Sequence, residues 1–289
     1  MTHILVIGGS GNIGSPLVDT LAQNPDVQLT VGVHNLPKAK KHFATDKQVR
    51  LVHFDFLDPS TFPEAFTDIE KIFFIRPPQL SHPKQDMAPF LNFAKQQQIQ
   101  QIVFVSLLGV EKNPVTPHHQ IEAMIERLEI PYTFIRPSFF MQNLSSTHLY
   151  DLQINHDLFI PAGRAKTSFI DTRDIADVAA ACLLDTQYLN QKLDITGAEA
   201  LTYEEIAVKM THILRIPITY SRPSLLKFRR TMLRRGTPKE FVNVMVMLYV
   251  ITQLGNAKTV NHNIETILKR PARSIDTFIQ DYRQLFLEQ

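Results

Sequence analysis

The sequence predicts a doubly wound parallel α/β sheet followed by a smaller, mainly helical C-terminal part. Three observations carry that prediction. Short apolar, β-branched runs alternate with helix-length amphipathic stretches, the rhythm of strands joined by crossover helices. Four of only ten glycines, Gly8, Gly9, Gly11 and Gly14, cluster directly after the first apolar run. The 289 residues, 44% apolar and 20% charged, have ordinary globular usage, which excludes disordered and fibrous classes.

Taken in order, residues 3–7, 28–33, 49–54, 71–75, 102–106 and 133–135 read as strands. Helices fill the gaps; in 13–23, Ile13, Leu17 and Leu21 recur every fourth residue and share one face. After about residue 150 the rhythm loosens. A strand-like run at 158–160 precedes Pro161, another lies at 193–196, and helices fall near 174–185 and 203–214. Thr237-Pro238-Lys239-Glu240 is a helix start with Thr237 as N-cap, and Gly255 is a natural stop. The helix between them is apolar almost all round, so it is expected to be buried or to form a subunit interface. The predicted division is a nucleotide-binding domain over 1–150 and a smaller α/β part over 151–289. No repeat or Gly/Ser linker separates them, so they are expected to pack as one body.

Thirty Lys and Arg against 28 Asp and Glu give a net charge of +2, too little to make nucleic acid or an acidic surface the main partner. The stretch 222–235 is locally basic and free of acids, and it reads first as a solvated helix face. Cys182, the single cysteine, excludes an internal disulfide and any multi-cysteine metal site, and its apolar surroundings mark a buried, inert thiol. The N-terminus has no basic region before its apolar run, so no secretory signal is expected. The longest apolar run, 241–251, is far below the roughly 20 residues of a membrane span. A cytoplasmic location without a membrane partner is the expectation.

The run Gly8-Gly9-Ser10-Gly11-Asn12-Ile13-Gly14 sits between the first strand and the first helix. There the first glycine permits a tight bend, the middle one lets a pyrophosphate approach the backbone, and Gly14 lets helix and sheet pack closely. The helix N-terminus then offers free N–H groups and a positive dipole end to the phosphates. A dinucleotide is the expected ligand. At the tip of the second strand, Val33-His34-Asn35-Leu36-Pro37-Lys38, no carboxylate stands where NAD-binding chains use one for the ribose. His34 and Lys38 can instead meet a 2′-phosphate, which favours NADP(H) and leaves NAD(H) open. Asp55, at the end of the third strand, is placed either for the adenine amino group or as a loop carboxylate.

With this turn, Val103-Phe104-Val105-Ser106, the run Ile130 to Pro137, Arg76-Pro77-Pro78, Phe139 to Leu144, Phe169 to Asp174 and Thr196 to Thr202, the chain resembles the NmrA-like family of atypical short-chain dehydrogenase/reductases. The likeness runs through nearly the whole chain and implies a Rossmann fold binding NADP(H) or NAD(H). Some members of that family look like quinone or dye reductases, and others are regulators that sense the nicotinamide pool. The resemblance implies Gly8, Gly11, Asn12 and Ile13 on the phosphates, and Ser10 and Asn35 are further cofactor-binding candidates. It puts His34 and Lys38 near the 2′-position, Asp55 and Phe56 at adenine, Arg76 and Pro77 along the ribose, and Ser106 with Pro137 to Phe139 at the nicotinamide. Relatives often carry arginine where this chain has His34.

The Tyr-x-x-x-Lys pair of typical short-chain reductases is missing after Ser106. The one match, Tyr188 to Lys192, falls too late in the chain to face a nicotinamide. The catalytic candidates are Ser106 and His118. An imidazole with its ordinary pKa of about 6.5 can hydrogen-bond the ribose or protonate a reduced acceptor; alternatively His118 simply pairs with Glu122 one turn on. His118, His119 and Glu122 lack a third ligand and the His-Glu-x-x-His order, so no metal site is expected. Asp171 and Asp174 read as caps of the helix near Ile175. Two functions follow: an NADPH-dependent reductase of a planar acceptor such as a quinone, or a non-catalytic redox sensor acting through a protein partner. The apolar helix also leaves a homo-oligomer open.

Overall fold

In the computed structural model, which describes residues 1–43 and 49–288, the chain forms two compact units. The first contains residues 1–137 and 173–195, the second 138–172 and 196–289. Where the sequence suggested one boundary near residue 150, the chain passes between units three times.

The first unit opens with β1 (Thr2–Ile7), α1 (Gly14–Leu21), β2 (Val27–Val33), α2 (Leu36–His42), β3 (Val49–His53) and α3 (Phe62–Ala65). It continues through β4 (Lys71–Ile75), α4 (Pro83–Asp86), α5 (Ala88–Gln96), β5 (Gln101–Val105), α6 (Pro117–Arg127) and β6 (Tyr132–Pro137). The chain then contributes β7 (Phe139–Phe140), α7 (Leu149–Ile154) and β8 (Thr167–Ile170) to the second unit. It returns as α8 (Thr172–Leu184) and β9 (Gln191–Ile195). The seven-stranded sheet runs β3-β2-β1-β4-β5-β6-β9, every pair parallel. The 193–196 run, expected in the C-terminal part, is therefore the last strand of the main sheet.

Central strands of such a sheet are covered on both faces and read as continuous apolar runs. Ile4, Leu5 and Val6 of β1, Ile72, Phe73 and Phe74 of β4, and Ile102, Val103 and Phe104 of β5 are fully buried accordingly. On one face Phe54, Phe62, Phe74, Phe90 and Phe104 meet in a chain of edge-on and stacked rings. Each such pair contributes about 0.5–1.5 kcal/mol beyond its area burial. Polar ties fix α8: the Lys71 ammonium donates to the Leu183 carbonyl (2.5 Å), and the Gln101 amide donates to the Cys182 carbonyl (3.0 Å) and to Thr133 Oγ1 (2.9 Å). Cys182 is buried, and burial pushes its thiol pKa up to about 12, which leaves it protonated and unreactive.

The second unit holds the small sheet β10-β8-β7, where β10 is Ala200–Leu201, and α9 (Tyr203–Leu214), which starts on a Thr202/Glu205 capping box. It ends with α10 (Leu225–Arg234), α11 (Lys239–Gln253), α12 (Asn263–Leu268), α13 (Ile275–Asp281) and α14 (Arg283–Leu287). Residues 158–160 are buried but form no strand ladder; Leu158 N–H donates to the Thr219 carbonyl instead. The N-cap of α11 lies one residue after the expected Thr237: Pro238 holds that position, and no side chain caps the helix. The helix is only half-covered. Val242, Met245 and Tyr249 are buried, while Phe241, Val244, Met247 and Val250 are exposed. Among the described residues, no helix is long and apolar enough to cross a membrane.

Candidate functional site

All the parallel strands of the first unit end on one edge of the sheet, and the predicted residues follow those ends directly. Gly8 follows β1, His34 β2, Asp55 lies two residues beyond β3, and Arg76 and Ser106 follow β4 and β5. In open α/β sheets ligands bind at this edge, where the strand order reverses; here that is the crevice between β1 and β4.

The glycine turn is built from backbone. Gly8 has φ +85°, a left-handed conformation open to glycine, and its carbonyl accepts from Gly11 N–H at 3.1 Å. A Cβ on Gly14 would lie 2.2 Å from that same carbonyl oxygen, so Gly14 serves the packing of the turn on itself. Gly9 adds a close approach of turn to sheet, since its Cβ would meet Val31 at 2.5 Å. Asn12 and Ile13 sit at the N-terminus of α1, and no backbone acceptor takes their N–H groups. Ile13 itself is buried, so its backbone alone is available to a ligand, whereas Ser10 and Asn12 are exposed.

At the tip of β2 the Asn35 side chain accepts from Lys38 N–H at 2.9 Å and so caps α2. The exposed His34 ring lies 3.4 Å from Asp55 Oδ2, and Asp55 Oδ1 accepts from Leu57 N–H at 2.9 Å. The structure therefore gives Asp55 both a loop role and a neighbour from the β2 tip. Phe56 points into the core against Phe54, Phe74 and Phe90, leaving its backbone at the edge.

Arg76 ties its own loop by donating to the carbonyls of Pro77, Pro78 and Leu80. Burial lowers its pKa, and its Nε is buried without a partner. Ser106 Oγ is likewise buried and unpartnered, although Ser106 N–H donates to Ile135 at 2.7 Å. Buried polar atoms are seldom left unmatched, so two orphans at adjacent strand ends fit a polar ligand lying across them.

His118, at the start of α6, stacks on Phe104 with ring centroids 6.0 Å apart. Burial, and secondarily the Arg76 charge, push its pKa down to about 3, so near neutrality the imidazole is uncharged. The expected titration near 6.5 does not survive this environment. Nor does the expected pairing with Glu122: that carboxylate is bound by Arg136 at 2.5 and 3.0 Å, in a buried pair also reached by Glu111. Lys192 pairs with Glu126 at 2.7 Å, and the Tyr132 hydroxyl donates to the same carboxylate oxygen at 2.9 Å. Among the described residues no group of His, Cys, Asp or Glu could hold a metal ion.

Pro137 ends β6 in the first unit, and Phe139 opens β7 in the second. There Gln142 joins two backbone-critical groups: it donates to Asp171 Oδ1 at 2.8 Å and accepts from Thr172 N–H at 2.9 Å. Phe139 also lines a cavity of about 110 Å³, walled by Leu144, Phe169, Phe241, Val244 and Met245. Its polar end is a buried pair, His148 Nε2 and Tyr249 Oη, 2.7 Å apart. Burial lowers His148 to about 4 and raises the Tyr249 phenol, so both are neutral at ordinary pH. No sequence motif announces this cavity, because its walls come from residues spread from 139 to 249.

A glycine turn at the first crossover of a doubly wound parallel sheet defines the class of Rossmann-fold dinucleotide-binding proteins. Over residues 1–280 the chain matches the NmrA-like family, and it belongs to that family. It is 28% identical to an NAD(P)H azoreductase of Xenophilus azovorans over 98% of this chain and 99% of that one. Its fold is similar to an NADPH-dependent quinone oxidoreductase of Escherichia coli complexed with NADPH (TM-score 0.85, 19% identity, 96% and 99% of the two chains). It is also similar to NmrA, a negative transcriptional regulator, in complex with NADP (TM-score 0.77, 14% identity, 98% and 96%).

Proposed function

We propose that the chain is an NADP(H)-dependent reductase of a neutral aromatic acceptor of the quinone type. One observation carries the reading: among the described residues, the strand-end site offers hydrogen-bonding groups, Ser106, Arg76 and an uncharged His118, but no strong proton donor. An acceptor that needs enzymic protonation would find none there. A quinone does not need one, because it takes hydride directly and its reduced oxygen takes a proton from water.

The cofactor supplies that hydride when bound. The glycine turn and the Asn12 and Ile13 amides hold its phosphates, and His34 with Lys38 meets the 2′-phosphate, in keeping with the NADP named for the similar quinone oxidoreductase and NmrA. Asp55 and the Phe56 backbone face adenine, with Asn35 shaping the loop through its cap. Arg76 and Pro77 border the ribose, and Ser106, His118 and Pro137 border the nicotinamide.

A second reading, a nicotinamide sensor acting through a protein partner without turnover, draws on the same lack of an acid and on the likeness to NmrA. Oxidation of NADPH followed against a panel of benzoquinones and dyes separates the two. Steady turnover with neutral quinones is expected; tight NADPH binding with no turnover on any acceptor would establish the sensor instead.

A further inference from the structure

The second unit carries an outward face that the reading above does not use. α10 buries Phe228 and Met232 and turns Leu226, Arg229, Arg230, Leu233 and Arg234 to one open side. These positions follow the i, i+3, i+4, i+7, i+8 spacing of a single helix face. Leu226 is 81% exposed, the most exposed large apolar side chain described. Met247 and Val250 on α11, with Leu254 at its C-cap, continue the stripe that begins at Asn243, and Leu254 is 71% exposed. Arg229 Nε donates to Asn243 Oδ1 at 3.4 Å, which sets the apolar stripe of α11 beside the basic face of α10.

Charge on this hairpin is one-sided. Residues 222–254 carry seven Lys and Arg and one acid, Glu240, against +2 for the whole chain. Arg222 pairs with Glu204 and Arg235 with Asp151. Lys227, Arg229, Arg230, Arg234 and Lys239 pair with no carboxylate among the described residues.

We propose that this face docks on an anionic lipid surface. A second copy of the chain is a poor occupant, because a two-fold contact would press Arg230 and Arg234 against their own kind with almost no acid to meet them. A nucleic acid would satisfy the cations but leave Leu226, Met247, Val250 and Leu254 against a charged backbone. Lipid phosphates take the guanidinium groups while the leucines enter the interface, and such docking needs no spanning helix. The sequence alone read these cations as solvated; the exposed leucines between them change that reading. The docking does not depend on the proposed reductase activity.

Flotation of the full-length protein with phosphatidylglycerol–phosphatidylcholine vesicles, and with pure phosphatidylcholine vesicles, tests it. Binding to the anionic vesicles alone is expected. Each of Arg229→Gln, Arg230→Gln and Arg234→Gln should cost about fivefold in partitioning, and Leu226→Ser should weaken it further with all cations intact. NADPH binding measured on the same variants should be unchanged, which establishes that they are folded. Failure to float with anionic vesicles at low salt would overturn the proposal. So would insensitivity to Leu226→Ser, a shift of a stable dimer to monomer in the arginine variants, or duplex DNA binding in preference to vesicles.

Discussion

The two units make their sites by different means. In the first, the phosphate end of the site is backbone: a turn fixed by the φ of Gly8, the approach of Gly14 to the Gly8 carbonyl, and amides at a helix start. In the second, the cavity is walled mostly by apolar residues far apart in sequence, with the hydrogen-bonded His148 and Tyr249 among its polar members. A backbone site leaves a local signature, because few residues tolerate its geometry. A side-chain cavity leaves none, because many apolar residues can fill a wall.

The contrast predicts that the first site fails abruptly and the second by degrees. Gly11→Glu puts an anion on the exposed turn where phosphates must lie, and should abolish NADPH binding with the fold intact. Calorimetric titration checks it, and unchanged affinity in the folded variant would remove the turn from the site.

The next effect is on stability in the second unit. His148 is pulled from 6.5 to about 4 by burial, so the unfolded chain binds its proton more readily than the folded one. Its contribution is fully present above pH 6.5 and is lost as pH falls toward 4, by up to about 3 kcal/mol. His148→Gln, which keeps a partner for Tyr249 without titrating, should flatten the fall in denaturation midpoint across that range. An equally steep fall would mean that other groups govern acid unfolding.

Smaller effects then discriminate the two sites kinetically. Val244→Trp, in the wall of the second-unit cavity, should leave NADPH affinity unchanged, since the residues proposed to hold the nucleotide lie in the first unit. His118→Ala should lower kcat tenfold or less, since an imidazole already neutral at pH 7 is no strong acid; the rate profile of the parent protein should show no step from it between pH 5 and 8. The mildest change is His34→Ala, expected to narrow the NADPH-over-NADH affinity ratio by a few-fold through one lost contact to the 2′-phosphate. Parallel titrations of both cofactors read it out, and an unchanged ratio would leave Lys38 as the cation that selects the phosphate.

The parallel sheet was legible because β1, β4 and β5 are uniformly apolar and the glycines punctuate the first crossover. β9 was harder to place. Its sequence Gln191-Lys192-Leu193-Asp194-Ile195 is polar for a sheet strand, since it is an edge, and its partner β6 lies more than fifty residues earlier. The buried 158–160 run shows that apolar composition without alternation cannot distinguish a strand from a packed loop. The charge state of His118 was illegible for another reason: it is set by burial and by the charge of Arg76, and neither is written in the residues around position 118.

The ties from Lys71 and Gln101 to the last carbonyls of α8 have a consequence for the order of events during synthesis. Two buried polar side chains on β4 and β5 wait for acceptors that lie more than eighty residues downstream, and until residues 173–195 leave the ribosome β6 has no neighbour on its outer side. The first unit cannot close early. A chain cut near residue 150 would keep the whole glycine turn yet leave Lys71 and Gln101 without their acceptors on α8 and β6 with an open edge, so the nascent protein carries thirty-five residues of the other unit as an unfinished insertion before its first unit is complete.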